Sequence, residues 1–266
     1  MNTNLIFLQE SDLDTPIYRI MKFSTLKRIF FEKKLTLVKP KIWDDPFENF
    51  ILNSTGRLSD GSEFEITFRD NYYGQCWSLV KESDAMWRIY SPCSTKNKIK
   101  EYDGVKVKTT IRKLFTPLYN MNIDRIANGE TYTFYSFIGR VQYKSTKDLI
   151  NMLNDKEKMS NKIFDTTGWG QASSFFLKRK AFSHEKEIRI IHKCNYENNG
   201  SDIFQFNINP IDIFDEIVFD PRMSTEKYKK SKKELRNLEY KKKIIQSGLY
   251  KIRKFTIELE RQPIIN

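Results

Sequence analysis

His184-Glu185-Lys186-Glu187-Ile188-Arg189, continuing through Ile190-Ile191-His192, is the stretch whose reading decides the fold. Taken as a β-strand from Glu187 to His192, it sends Glu185, Glu187 and Arg189 to one face and Ile188 and Ile190 to the other. Two carboxylates and a guanidinium beside a core are costly unless they pair or open on a cleft. An Arg–Glu ladder between neighbouring strands meets that requirement. So does a site in which one Glu acts on a substrate while Arg189 holds it.

Working outward, Pro16–Met21 reads as a strand, and Ser24 as the N-cap of a helix through Lys33 with Leu26, Ile29 and Phe30 on one face. Leu35–Val38 and Tyr73–Leu79 return as strands, and Ser83 caps a short helix carrying Met86, Trp87 and Tyr90. A strand Gly104–Thr109 leads into a helix Ile111–Tyr119. Then come a strand Thr131–Tyr143 and helices Thr146–Asn154 and Gln171–Lys180. Strands at Ile203–Ile208, Glu216–Phe219 and Tyr250–Leu259 close the chain, with a basic helix over 225–245 before the last. Nothing here keeps the regular βαβ rhythm of a doubly wound fold. The expectation is an α+β fold with a mixed, mostly antiparallel sheet and packed helices. No repeat or Pro/Gly-rich linker divides residues 1–266, and 20 Phe with 13 Tyr suffice for a substantial core, so one domain is expected.

Composition narrows the chemistry. Cys76, Cys93 and Cys194 stand in no metal-ligand spacing, and with only His184 and His192 a zinc centre built on imidazole is not expected. Leu5–Leu8 is too short, and too poor in preceding basic residues, for a secretory signal, and no stretch is long enough to span a bilayer. A cytoplasmic location follows as the expectation. The formal charge of +12 is concentrated: residues 225–254 hold twelve Lys and Arg against three Glu. Such a segment attracts phosphate without sequence preference, with Lys229, Lys230, Lys232 and Lys233 as candidate nucleic-acid contacts. A solvated lysine-rich helix accounts for it as well.

Three further motifs carry polar groups. Asp44-Asp45-Pro46-Phe47-Glu48 sets three carboxylates beside two rings, Trp43 and Phe47; it fits a capped turn, or a site in which Asp45 or Glu48 binds a cation or a substrate hydroxyl. Trp87 and Tyr90, three apart on a helix, fit a core or a platform stacking a planar ligand. Tyr18-Arg19 on the first strand is a surface arginine or a clamp. There is no Gly-rich phosphate loop, Gly-x-Ser-x-Gly elbow or paired Cys/His site, which disfavours kinase, P-loop, hydrolase and zinc chemistry.

In order, these motifs resemble a prokaryotic family catalogued as domain of unknown function 2971. The matching residues are Tyr18-Arg19-Ile20-Met21, Asp44-Asp45-Pro46-Phe47-Glu48, Cys76-Trp77-Ser78, Met86-Trp87-Arg88-Ile89-Tyr90, and Lys178 or Lys180 ahead of Glu185-Lys186-Glu187-Ile188-Arg189. Asp44 replaces the usual Asn, and His184 an aromatic ring. The opening, a Tyr-Arg strand, a helix and a Lys-Leu-x-Leu strand, is also similar to ADP-ribosyltransferases of the DNA-modifying toxin type. That resemblance implies NAD as substrate, Arg19 as its clamp, Trp87 or Tyr90 as the stacking ring, and Glu187 as the catalytic carboxylate. Glu185 would position the acceptor and Arg189 hold Glu187 ionised. It also implies a role in antiviral defence or as a toxin, with a nucleic-acid substrate guided by the basic segment and a partner protein from the same locus. Two other readings remain: a non-enzymatic nucleic-acid or nucleotide-binding module, and a nuclease whose Asp44, Asp45, Glu185 and Glu187 cage Mg²⁺.

Overall fold

The structure, a computed structural model, describes residues 2–43, 45, 54–66, 68–96, 99–127, 136–194, 201–252 and 254–260. In chain order the strands are β1 (Leu5–Ile6), β2 (Pro16–Lys22), β3 (Lys34–Val38), β4 (Thr55–Arg57), β5 (Glu63–Glu65), β6 (Tyr72–Ser78), β7 (Cys93–Lys96) and β8 (Ile99–Tyr102). They continue as β9 (Gly104–Thr110), β10 (Ser136–Arg140), β11 (Gln142–Lys144), β12 (Leu177–Arg179), β13 (Glu187–Lys193), β14 (Ile203–Asn207), β15 (Glu216–Phe219) and β16 (Lys243–Gln246). The helices are α1 (Phe23–Glu32), α2 (Asp84–Tyr90), α3 (Ile111–Ala127), α4 (Thr146–Asn154), α5 (Lys156–Ile163), α6 (Trp169–Ser174), α7 (Pro210–Ile213) and α8 (Thr225–Asn237).

The main sheet runs β1-β10-β13-β6-β2-β9-β15-β16, with β3 and β14 branching from β6. All its pairs are antiparallel except β1–β10 and β15–β16, so the chain is the mixed, mostly antiparallel α+β fold expected. Strand alternation gives the sheet two unlike faces. Ile17, Met21, Trp77, Val105, Val107, Ile188, Ile190, Ile217 and Phe219 make one face apolar, and α1, α3 and α8 close over it through Leu26, Phe30, Leu114, Phe115 and Leu235. Burial of this set supplies the main driving force for folding. On the other face a smaller cluster of Tyr72, Phe137, Phe175, Phe176 and Ile191 leaves room for charged residues. The central strands β13 and β6 pair from Glu187↔Ser78 to Lys193↔Tyr72, whereas β6 meets β2 only at Tyr18↔Ser78.

Several local expectations are corrected. The N-cap of α1 is Lys22 rather than Ser24, and α3 continues to Ala127. The run expected as one strand over 131–143 contains β10 and β11; residues 131–135 lie outside the described residues. The helix expected over Gln171–Lys180 stops at Ser174, and Leu177–Arg179 is strand β12. The basic segment 225–245 is not one helix: α8 ends at Asn237, Glu239 turns the chain with φ 63°, and β16 follows. Residues 251–260 form no strand where described.

No helix among the described residues is long and apolar enough to cross a membrane.

Candidate functional site

Glu185 is not on β13. It ends a 3-10 turn, Lys180–Glu185, and Lys186 follows in the left-handed region with φ 44°. That kink lets both carboxylates converge on the ammonium of Lys178 from β12. Lys178 Nζ lies 2.5 Å from Glu185 Oε2 and 2.5 Å from Glu187 Oε1. Arg189 Nε donates to Glu187 Oε2 at 2.7 Å, and Arg189 Nη1 to the carbonyl of Phe175 at 2.6 Å. None of these four side chains belongs to a residue more than 6% exposed, so the pairing is made where water screens little. Two anions and two cations cancel, which is the condition for a buried charge cluster to persist.

Aromatic residues enclose the cluster. The Arg189 guanidinium lies 4.6 Å from the Trp43 ring centroid, and Lys178 Nζ 4.6 Å from that of Phe182. Gly74 makes the first contact possible: a Cβ there would stand 2.7 Å from both Trp43 and Ile191. The Tyr90 hydroxyl donates to Glu185 Oε1 at 2.5 Å, and the Tyr143 hydroxyl accepts the Glu187 backbone N–H at 2.9 Å. Ser78 Oγ donates to the Glu185 carbonyl at 2.6 Å, tying the turn to β6.

The two carboxylates titrate in opposite directions. Burial, and the hydrogen bond with the ionised Glu187, push Glu185 above the usual carboxylate range against Lys178 and Tyr90. Burial pushes Glu187 the same way, but Arg189, the hydrogen bond from Glu185 and Lys178 outweigh it and hold Glu187 well below that range. Glu185 is therefore the weaker acid of the pair and Glu187 the stronger, a divergence of the kind that divides acid/base roles between two carboxyls.

The other predicted residues are dispersed. Asp45 accepts from Arg179 Nη2 at 2.8 Å, one residue from Lys178, so it borders the cluster. Asp44 and Glu48 lie outside the described residues. Tyr18 shares the cluster's face, in register with Ser78 and hence in the same row as Glu187. Arg19 alternates to the opposite face with Ile17 and Met21, in register with Val107, and burial lowers its guanidinium to about 10. Trp87 is fully buried and separates from Tyr90: its Nε1 donates to Glu82 Oε1 at 3.1 Å. Lys106 lies 5.7 Å from the Trp87 ring and 5.6 Å from that of Tyr18. The cavity there is about 20 Å³, room for a water and not for a planar ligand. Lys229, Lys230 and Lys233 are exposed on α8, and Lys232 Nζ lies 5.7 Å from the Tyr228 ring. Because α8 packs on the apolar face, all four lysines lie across the sheet from Glu187. Among the described residues, no group of three or more His, Cys, Asp and Glu is placed to hold a metal ion.

Sequence reasoning missed Tyr143, Phe182 and the pairing of buried Lys106 with Glu82 at the surface (3.5 Å). Only Lys178 carried a signal, as the lysine ahead of the Glu-x-Glu-x-Arg run.

No curated protein matches the chain. Three solved structures of DarT from Thermus sp. 2.9 are similar to it at low scores. The complex with carba-NAD+ is 13% identical with a TM-score of 0.36, covering 90% of this chain and 97% of that one. The complex with ADP-ribosylated ssDNA is 14% identical, TM-score 0.35, covering 91% and 97%. The complex with NAD+ is 13% identical, TM-score 0.33, covering 91% and 98%. The family described as protein of unknown function (DUF2971) matches residues 86–190, a span that holds Trp87, Tyr90, Lys178, Glu185, Glu187 and Arg189, and this bears out the resemblance carried by the motifs.

Proposed function

We propose that the chain cleaves the nicotinamide–ribose bond of NAD and passes ADP-ribose to an acceptor or to water. The observation that carries this reading is the pair Glu185/Glu187 on one ammonium, with Glu187 held ionised and Glu185 shifted the other way. The nicotinamide of NAD is already cationic and leaves as a neutral ring, so its departure needs no general acid. It needs a fixed anion near the sugar carbon as oxocarbenium character grows. Glu187, fixed by Arg189 and Lys178, meets that demand. Glu185, once ionised, is the weaker acid of the pair and so the better base for an incoming hydroxyl.

Tyr90 is the ring best placed to meet the substrate, being 41% exposed while its hydroxyl reaches Glu185. Its displacement would open Glu185 to an acceptor. Trp87 and Arg19 have structural roles in this reading, because one is sealed against Lys106 and the other faces away. Nucleic acid, the second expected partner, is assigned to α8 as a docking surface apart from the chemistry, since Lys229, Lys230 and Lys233 are exposed there. A role in defence or as a toxin, with a partner protein from the same locus, extends this proposal.

The test is incubation with NAD and chromatographic detection of nicotinamide. Release by the native chain and its loss in Glu187→Gln, with an unchanged circular dichroism spectrum, supports the reading. Release unchanged by Glu187→Gln removes Glu187 from the chemistry. Absence of release from the native chain, with nucleic-acid binding intact, favours the non-enzymatic module.

A further inference from the structure

Beyond β16 the chain makes one more turn, closed by Lys251 N–H donating to the Gly248 carbonyl at 3.0 Å, and then runs without secondary structure where described, to Glu260. Its side chains alternate strictly from Lys254 to Glu260. Phe255, Ile257 and Leu259 are 83%, 77% and 85% exposed, and Lys254, Thr256, Glu258 and Glu260 are exposed between them. This is the pattern of a half-buried β-strand with neither a sheet edge nor a core beside it. Three large apolar side chains held in water at this spacing mark an interaction surface.

The chain's own edge strand does not cover it. β16 has four residues, and the link to Lys251 has another four, Ser247–Tyr250. Folding back as a hairpin would set Lys251–Lys254 opposite Gln246–Lys243. Lys254 would then face Lys243, and Phe255–Leu259 would project past the end of β16.

The segment is, however, complementary to itself. In an antiparallel pairing of two copies about Ile257, Lys254 of each copy faces Glu260 of the other, Phe255 faces Leu259, and Ile257 faces Ile257. Each of these is a favourable cross-strand pair, and each occurs twice or on the axis, as a two-fold interface requires. The matched stretch stops at Arg253 and Arg261, which would face each other, so it is seven residues long. We propose that residues 254–260 form a dimerisation strand and that its partner is the same strand of a second copy of this chain. The proposal is independent of the chemistry assigned to Glu187. A two-stranded ribbon of this length is marginal by itself, so the dimer is reversible and concentration-dependent.

The strand starts close to α2. Ser247 Oγ donates to Glu82 Oε1 at 2.7 Å, and the Tyr250 hydroxyl is hydrogen-bonded to Asp84 at the first turn of the helix that bears Tyr90. Because the paired strands run antiparallel, each copy's α2 would lie at its own end of the two-stranded ribbon.

Sedimentation velocity on the full chain across micromolar concentrations tests this. The expected result is a dimer that Ile257→Lys converts to monomer, with the circular dichroism spectrum otherwise retained because the segment touches no core. Lys254→Glu alone and Glu260→Lys alone should each be monomeric, since each would oppose like charges twice. Mixed one to one, the two variants should restore the dimer, because both pairs then become Glu with Lys. A native chain that stays monomeric throughout overturns the proposal. So does a dimer indifferent to Ile257→Lys, or a mixture that fails to recover.

Discussion

The hydroxyl of Tyr90 reaches Oε1 of Glu185 at 2.5 Å although the tyrosine itself is 41% exposed. The bond thus spans the boundary between solvent and a charge cluster that is otherwise enclosed. Because it favours the ionised form of Glu185, its loss should raise that carboxyl further. Tyr90→Phe is expected to move the alkaline-rising limb of the pH–rate profile to higher pH, at a stability cost of about 1 kcal/mol in urea denaturation. A profile that does not move would separate Tyr90 from the titration of Glu185.

Glu185 gives a second pH signature, in stability. Its folded value lies above the ordinary carboxylate value, so between the two the native state binds the proton more tightly than the unfolded chain. Stability contributed by this group is therefore full at low pH and is lost as pH rises through that window. Glu187 is depressed and acts oppositely: its contribution is present above the ordinary value and is lost as pH falls below it. Glu185→Gln should flatten the decline above the ordinary carboxylate range while leaving the acid limb in place. Thermal melts across pH would register both.

Lys178 neutralises two carboxylates at once, so Lys178→Met leaves a buried excess of negative charge. Loss of one partner from such a cluster costs about 3–5 kcal/mol. Adding Glu185→Gln to Lys178→Met should recover part of that loss, and a double-mutant cycle from urea denaturation would measure it.

Placement of α8 across the sheet separates affinity from turnover. Changing Lys229, Lys230 and Lys233 together to Gln should weaken nucleic-acid binding and lower the slope of log affinity against log salt by about 2–3. Nicotinamide release without nucleic acid should stay unchanged. A fall in basal release would show that the helix reaches the chemistry.

Replacing Gly74 by Ala tests how Trp43 is seated. The added methyl would meet Trp43 and Ile191 at 2.7 Å, so these two side chains, which pack in the same apolar cluster, would have to shift. A loss of roughly 1–3 kcal/mol, typical of overpacking, is expected in thermal or urea unfolding.

Local pattern revealed much of this arrangement and long-range pairing revealed the rest. The alternation Glu187-Ile188-Arg189-Ile190 set the two faces of β13 correctly, because period two is a property of the strand itself. Glu185 was assigned to the same strand by extrapolating that period. The left-handed Lys186 breaks the alternation, yet the carboxylate still arrives beside Glu187 because Lys178 draws both. Trp87 and Tyr90, three apart, were expected to work as a pair. On a helix of seven residues they point about 60° apart, enough for one to enter the protein and the other to stay at its edge. Tyr143 and Phe182 had no local signature; only the parallel pairing of β11 with β12, and the turn after β12, bring them to the site. The terminal alternation after Tyr250 was read as a strand, but alternation does not supply the neighbour that a strand needs.

The two-faced character of β13 also bears on how the chain avoids misfolding. A slip of one residue against β6 would send Glu187 and Arg189 into the apolar layer of Trp77 and Val107 and turn Ile188 and Ile190 toward Lys178. Both halves of that error would be penalised together, by unpaired buried charge on one side and wetted aliphatic surface on the other. The charged row that equips the site thus also works as a proofreading device for strand alignment, and substitutions that neutralise it would be expected to loosen the choice of register before they loosen the sheet.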